Sequence, residues 1–237
     1  TAPTFPGMVG PSIDVNSRHV ANSGGFISSR TRQRLVDSLR AKGIVNEAVL
    51  QAIADTSRHE FVEDALKGRA YEDTALPIGY RQTISQPFVV ALMSQILLCG
   101  QEMIGRVLEV GAGSGYHAAV LSRFTTQVYS LERVSQLYIS AKSRLQRLEI
   151  NNVHLVHKDG ADGWPARAPY DGIMLTAAPH QVSATLFDQL REGGILVAPE
   201  GDDQNQTLTY WVKKNGRIQR HESIPVVFVP LVLGVTQ

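Results

Sequence analysis

The chain has 237 residues, with 23 Lys+Arg against 22 Asp+Glu and a formal net charge of +1. Bulk charge therefore gives no reason to expect a nucleic acid or another acidic polymer as partner. Hydrophobic content of 43% with 19% charged residues is that of a globular chain with a full core, and no run reaches the ~18 apolar residues of a membrane span.

Residues 1–25 are rich in Pro, Gly, Ser and Asn and read as a flexible tail, without the basic start and apolar core of a secretory leader. Residues 30–42 read as a helix with Leu35, Val36 and Leu39 apolar and Gly43 as its stop. Asn46 caps a second helix carrying Val49, Leu50 and Ile53, and residues 58–62 open a third short element. These pieces precede the first strand as an added layer. Residues 75–87 form an ordered loop in which Gln82, Thr83, Ser85 and Gln86 crowd four hydrogen-bonding side chains ahead of Pro87. Pro87 opens a helix through Val89, Leu92, Met93 and Ile96. The start of that helix is a place to hold an anion on free N–H groups; from the loop alone, capping by Ser85 is the simpler account. Cys99, at the apolar end of the helix, is the one cysteine. It excludes an internal disulfide and fits a reducing compartment, the cytoplasm. The histidines lack metal-ligand spacing, so no metal is expected.

An apolar run at residues 106–110 then ends in Gly111, Gly113 and Gly115, followed by a helical pattern through Ala118 and Leu121. Strand, glycine turn and helix form the first unit of a nucleotide-binding α/β sheet. Position 116 is Tyr116, not the third glycine of the dinucleotide fingerprint, and the phosphate-loop pattern is absent. Glu109, two residues before the first glycine, suits a cationic ligand; a turn with no ligand stays an alternative. Glu132 ends the second strand, residues 127–131, where one carboxylate can take two ribose hydroxyls; a solvated acid favoured by a helix dipole is the other account. A helix over residues 134–148 leads to a third strand, residues 152–157, which ends at Lys158-Asp159-Gly160. Asp159 can accept from an adenine amino group. A fourth strand, residues 170–176, runs into Ala177-Ala178-Pro179. Ser183 caps a helix through Leu186 and Leu190 that Gly193-Gly194 stops, and residues 195–199 form the fifth strand. Residues 207–213, an Asn215-Gly216 turn and residues 217–233 complete a hairpin. The expected fold is α/β, a doubly wound seven-stranded mostly parallel sheet with N-terminal helices and an antiparallel C-terminal hairpin.

Taken together, Ile78-Gly79-Tyr80-Arg81-Gln82-Thr83-Ile84-Ser85-Gln86-Pro87, the glycine turn with Glu109, the Val153-to-Gly160 stretch, Thr176-Ala177-Ala178-Pro179 and Phe228-Val229-Pro230-Leu231 resemble the protein-L-isoaspartate O-methyltransferases. Those belong to the class I S-adenosylmethionine-dependent methyltransferases, whose first motif the glycine turn is similar to. The resemblance covers nearly everything after about residue 25. It implies one methyltransferase domain over residues 26–237: helices and substrate loop at 26–100, cofactor-binding sheet and hairpin at 101–237. It implies S-adenosyl-L-methionine as cofactor, S-adenosyl-L-homocysteine as product, and methylation of the free carboxylate of L-isoaspartyl residues in damaged proteins and peptides. Carried over by position, Ser85 is the active-site residue and Thr83, Ile84, Val229 and Pro230 stand with it on the substrate side. Glu109, Gly111, Gly113, Ser114, Gly115, Glu132, Asp159 and Gly160 are the cofactor positions. Lys158 stands where bacterial members often have glycine, and Gln86 and Phe88 follow Ser85 where members vary. The expected partners are isoaspartyl peptides and proteins, with no nucleic acid or membrane, and the chain is expected to be a monomer.

A carboxylate acceptor has a pKa near ~4 and is already ionised at neutral pH, so no general base is needed. Ser85 would hold it by a hydrogen bond from a neutral donor, leaving positioning as the main task. Residues 226–230 offer either a backbone docking edge for an extended peptide or a buried strand. Base-methylating enzymes often carry an Asn/Asp-Pro-Pro-aromatic motif where this chain has Thr176-Ala177-Ala178-Pro179. A dehydrogenase is disfavoured by Tyr116, and a non-catalytic binding module by the intact acids and Ser85.

Overall fold

Strand periodicity builds two unequal cores from one sheet. The computed structural model describes residues 29–202 and 204–236, so the expected tail at residues 1–25 lies outside the described residues. Helices α1 (Ser29–Ala41) and α2 (Glu47–Asp55) lead to a small hairpin, β1 (Leu76–Pro77) and β2 (Thr83–Ile84), and then α3 (Pro87–Leu98). The sheet and its crossovers follow as β3 (Ile104–Val110), α4 (Tyr116–Leu121), β4 (Thr125–Glu132), α5 (Ser135–Arg147), β5 (Val153–His157), β6 (Tyr170–Leu175), α6 (Ala184–Asp188), β7 (Leu190–Gly201), β8 (Gln206–Lys214) and β9 (Arg217–Val226). Sheet order is β5-β4-β3-β6-β7-β8-β9. The first five strands are parallel and the last two antiparallel. This is the expected seven-stranded α/β sheet. No helix among the described residues is long and apolar enough to cross a membrane.

Successive side chains of a strand point to opposite faces. Val107 joins Leu39, Ile53, Leu92, Val120, Val128 and Met174 in the larger core, beneath α1 to α4. Leu108 and Val110 point the other way, toward Tyr129, Leu131, Ile173, Leu196 and Trp211, where α6 supplies Leu186. On the larger face, Gly172 of β6 allows α3 to approach: a Cβ there would meet Leu97 Cδ1 at 2.7 Å and Cγ at 2.9 Å. Gly172→Ala is expected to destabilise the fold by about 1–3 kcal/mol through overpacking, read as a lower midpoint in chemical denaturation.

The N-terminal expectations hold where capping chemistry is explicit. Asn46 Oδ1 accepts from Val49 N at 3.2 Å, and Pro87 occupies the first turn of α3. Two expectations near the end of the chain do not. The helix after Ser183 stops at Asp188, and Leu190 belongs to β7, where it pairs with Tyr170 across a bulge. The final strand ends at Val226, not at residue 233. Pro225 and Pro230 have no N–H to give a ladder, and residues 227–236 instead cross the carboxyl ends of the parallel strands. Ala178 N donates to Val229 O at 2.8 Å, Leu231 N to Ala178 O at 2.7 Å and Thr236 N to Arg133 O at 2.9 Å.

Candidate functional site

In open α/β sheets, ligands bind outside the carboxyl ends of the strands where strand order reverses. Here β3 pairs with β4 on one side and β6 on the other, so that point is the end of β3. The glycine turn stands there. Gly111 has φ +97°, and a Cβ on it would meet Thr176 Oγ1 at 2.5 Å, so no larger residue fits. Thr176 Oγ1 donates to Val110 O at 3.0 Å and to Gly111 O, tying the turn to the end of β6. The next tie comes from β4: Glu132 Oε2 accepts from Gly113 N at 2.7 Å and Oε1 from Val134 N at 2.8 Å. At the end of β5, Asp159 Oδ1 accepts from Ala161 N at 2.9 Å and Oδ2 from Gly234 N at 2.6 Å. Each of these carboxylates has about four lone-pair sites, so two protein donors leave capacity for ligand hydroxyl or amino groups.

A cavity of about 1480 Å³ joins these groups to the loop before α3. Single small-molecule sites are roughly 300–1,000 Å³, so there is room for a cofactor and a length of extended peptide. Its wall includes Thr83, Ile84, Ser85, Gly111, Gly113, Ser114, Glu132, Asp159, Gly160, Val229 and Pro230. Lys158 reaches the same cavity with an exposed side chain.

Ser85 does not cap α3. Gln86 is the N-cap residue and makes no side-chain cap bond; its amide donates to Asp73 O at 3.0 Å. The Ser85 hydroxyl, half-buried in the cavity wall, has no hydrogen-bond partner among the described residues. The anion seat that is the alternative to capping at this helix start is already occupied in part, since Phe88 N donates to Asp73 Oδ1 at 2.8 Å.

Two expected cofactor positions lie off the cavity wall. Gly115 is the N-cap of α4, and a Cβ there would face Ala141 at 3.4 Å and Leu145 at 3.6 Å. Glu109 is fully buried beneath the turn and bonded by Ser130 Oγ. Burial, opposed by that bond and reinforced by Glu132, pushes its carboxyl up to about 8. Glu109 thus lies behind the cavity wall, and burial favours its neutral form. The consequence for stability follows from linkage: a carboxyl raised in the fold contributes fully below its unfolded value, and that contribution is lost as pH rises toward the folded one. Melting temperatures of wild type and Glu109→Gln are expected to diverge between pH ~4.5 and ~8 in favour of the glutamine; parallel curves would show that Glu109 stays ionised.

Sequence reasoning missed His117 on the cavity wall. Its Nε2 lies 3.2 Å from Ser94 Oγ, and burial drives its pKa down to about 3. A neutral imidazole this weak is a poor general base. The docking edge that residues 226–230 offer as one of two readings is also partly spent. Phe228 N donates to Gln206 Oε1 at 2.6 Å, Phe228 O accepts from Gln206 Nε2 at 3.0 Å, and Ala178 binds Val229 O and Leu231 N.

The sequence model of one family, Protein-L-isoaspartate(D-aspartate) O-methyltransferase, matches residues 30–236. Protein-L-isoaspartate O-methyltransferase 1 of Marinobacter nauticus is 50% identical over 211 residues, 89% of this chain and 95% of the relative. The protein of the same function name from Hahella chejuensis is 50% identical over 210 residues, 89% and 99% of the two chains. A solved protein-L-isoaspartate O-methyltransferase superposes with a TM-score of 0.76 at 31% identity, covering 84% of this chain and 65% of that one. A Plasmodium falciparum structure titled as a putative member, in complex with S-adenosyl-L-homocysteine, gives a TM-score of 0.74 at 26% identity over 85% and 98% of the two chains.

Proposed function

Since the chain belongs to the protein-L-isoaspartate O-methyltransferase family, we propose that the Ser85 hydroxyl receives the acceptor carboxylate while Glu132, Asp159 and the glycine turn hold the methyl donor. The reaction itself transfers a methyl group from S-adenosyl-L-methionine to the free carboxylate of L-isoaspartyl residues in damaged proteins and peptides, the first step of their repair. When bound, the cofactor supplies an electrophilic methyl group on a sulfonium. The donor set fits it: Glu132 keeps lone pairs for two ribose hydroxyls, Asp159 keeps one for an adenine amino group, and Gly111 and Gly113 present bare backbone.

The carrying observation is that Ser85 is uncommitted. Its hydroxyl has no partner among the described residues and opens on the cavity that Glu132 and Asp159 share. A neutral hydroxyl orients the carboxylate through one hydrogen bond, without the bidentate ion pair of an arginine that would tie up both oxygens. With His117 held neutral at a pKa of about 3, the wall supplies orientation and exclusion of water in place of proton transfer. Thr83 and Ile84 beside Ser85, and Val229 and Pro230 opposite, would hold the flanking peptide. Gln206 and Ala178 already use the backbone at Phe228 and Val229, so those contacts would come from side chains. Residues 26–237 would act as one domain, supported by a continuous core from Leu35 to Leu208. Cytoplasmic action without nucleic acid is supported by a single cysteine and a net charge of +1, and the chain is proposed to act as a monomer. The test is methyl transfer from labelled S-adenosyl-L-methionine to an isoaspartyl peptide and its aspartyl twin. Transfer to the first alone is expected, and equal labelling of both would overturn the assignment of the pocket.

A further inference from the structure

Arg58 opens a 3-10 turn, Arg58–Phe61, and is fully buried. Its guanidinium stacks on the Tyr116 ring, 4.7 Å from the centroid. One hydrogen bond, from Nη2 to Thr74 O, is long at 3.4 Å, and Nε and Nη1 are buried with no partner. An arginine stays protonated in proteins, so a positive charge sits in the core. No carboxylate among the described residues pairs with it. Asp73 lies near but is taken by Lys42 at 2.5 Å and by Phe88 N at 2.8 Å. Glu60, on its own turn, is taken by Arg147 at 2.7 Å. The other titratable neighbours are Tyr71, Tyr116 and His117, and burial keeps all three neutral.

A buried cation without a direct ion-pair partner is expensive, which asks what it serves. Two residues it contacts, Thr74 and Tyr116, line the cavity that holds Ser85. The charge therefore stands one residue behind the wall. We propose that Arg58 is a positioning residue for the acceptor carboxylate: its charge, acting through the Tyr116 and Thr74 wall, draws the carboxylate to the Ser85 loop and keeps it ionised. Placed in the wall itself, an arginine would form bidentate bonds to the carboxylate and tie up the attacking oxygen. Behind the wall, its attraction persists through a low-dielectric layer while the lone pairs stay free. The inference rests on the reading that a substrate carboxylate is seated at Ser85.

The test compares Arg58→Gln and Arg58→Lys in the whole protein, using an isoaspartyl peptide and S-adenosyl-L-methionine from pH 4 to 8. The acid limb of kcat reports the bound carboxylate. A nearby cation lowers a carboxylate pKa, so its removal raises it. The glutamine variant is expected to move the limb up by about one pH unit and to raise the peptide KM about tenfold. S-adenosyl-L-homocysteine affinity, measured by calorimetry, should stay within about twofold of wild type, and the lysine variant should restore the limb. An unmoved limb in the glutamine variant, or a lysine variant as shifted as the glutamine one, overturns the role. Should the glutamine variant not fold, wild type saturated with S-adenosyl-L-homocysteine decides. The isoaspartyl peptide is expected to bind at least about tenfold tighter than a twin whose free carboxylate is a carboxamide; equal affinity overturns the proposal. Failure of the Ser85 reading is distinct, since it shows as unchanged turnover in Ser85→Ala.

Discussion

Ser85→Ala is expected to lower kcat/KM for an isoaspartyl peptide by about 10²–10³-fold, the loss usually seen when one orienting donor is removed from a preorganised site. The hydroxyl has no structural partner to lose among the described residues, so melting temperature and S-adenosyl-L-homocysteine affinity should stay near wild type. The deficit should fall on both kcat and kcat/KM, because the bond aligns the attacking oxygen as well as binding it. Ser85→Thr, which keeps a hydroxyl, should recover part of the rate. The measurement is initial-rate methyl transfer across peptide concentrations at saturating cofactor. Unchanged kcat/KM in the alanine variant would remove Ser85 from the mechanism.

Glu132→Ala is expected to weaken cofactor binding by about 100-fold or more, from loss of charged acceptor bonds at about 1.5–3 kcal/mol each. The effect has two parts. Direct acceptance of ribose hydroxyls is lost, and the Gly113 and Val134 amides lose the carboxylate that joins the glycine turn to β4. Glu132→Gln separates them, because one amide oxygen can still serve a single N–H. It should bind cofactor at an affinity between wild type and alanine, while the peptide KM measured at saturating cofactor changes little. Calorimetry with S-adenosyl-L-homocysteine reads both variants. Wild-type affinity in the alanine variant would show that the carboxylate serves the fold alone.

The legible parts of this protein are those where the backbone leaves few residue choices. A turn with φ of +97° at Gly111 and +54° at Gly113 is written in glycine, and a strand ending in an acid at Glu132 or Asp159 marks itself by its place. Asn46 and Pro87 announced their helices through capping chemistry. Glu109 stands off the cavity wall, and its parity along the strand was available. It alternates with Leu108 and Val110 and so shares a side with Val107, which faces the helices of the larger core. Parity directed it inward to Ser130, away from any ligand. Leu190 was assigned to a helix because Gly193-Gly194 resembles a stop, whereas the glycines sit inside β7, where pairing with β6 and β8 outweighs local propensity. Arg58 left no trace in the sequence, since a charged residue carries no sign that it will be buried. Its burial exists only once residues 58, 74 and 116 meet in space.

The strap formed by residues 227–236 sets when the cavity wall is complete. Gly234 reaches Asp159 across 75 positions and Arg133 across 101. During synthesis the glycine turn and the ends of β3, β4 and β5 emerge well before the segment that spans them. A nascent chain that has assembled the parallel strands still leaves Asp159 without its Gly234 partner, and closing a loop of this length carries an entropic cost. The Asp159 corner of the cavity thus stays open until residues 227–236 have been made and have crossed the strand ends.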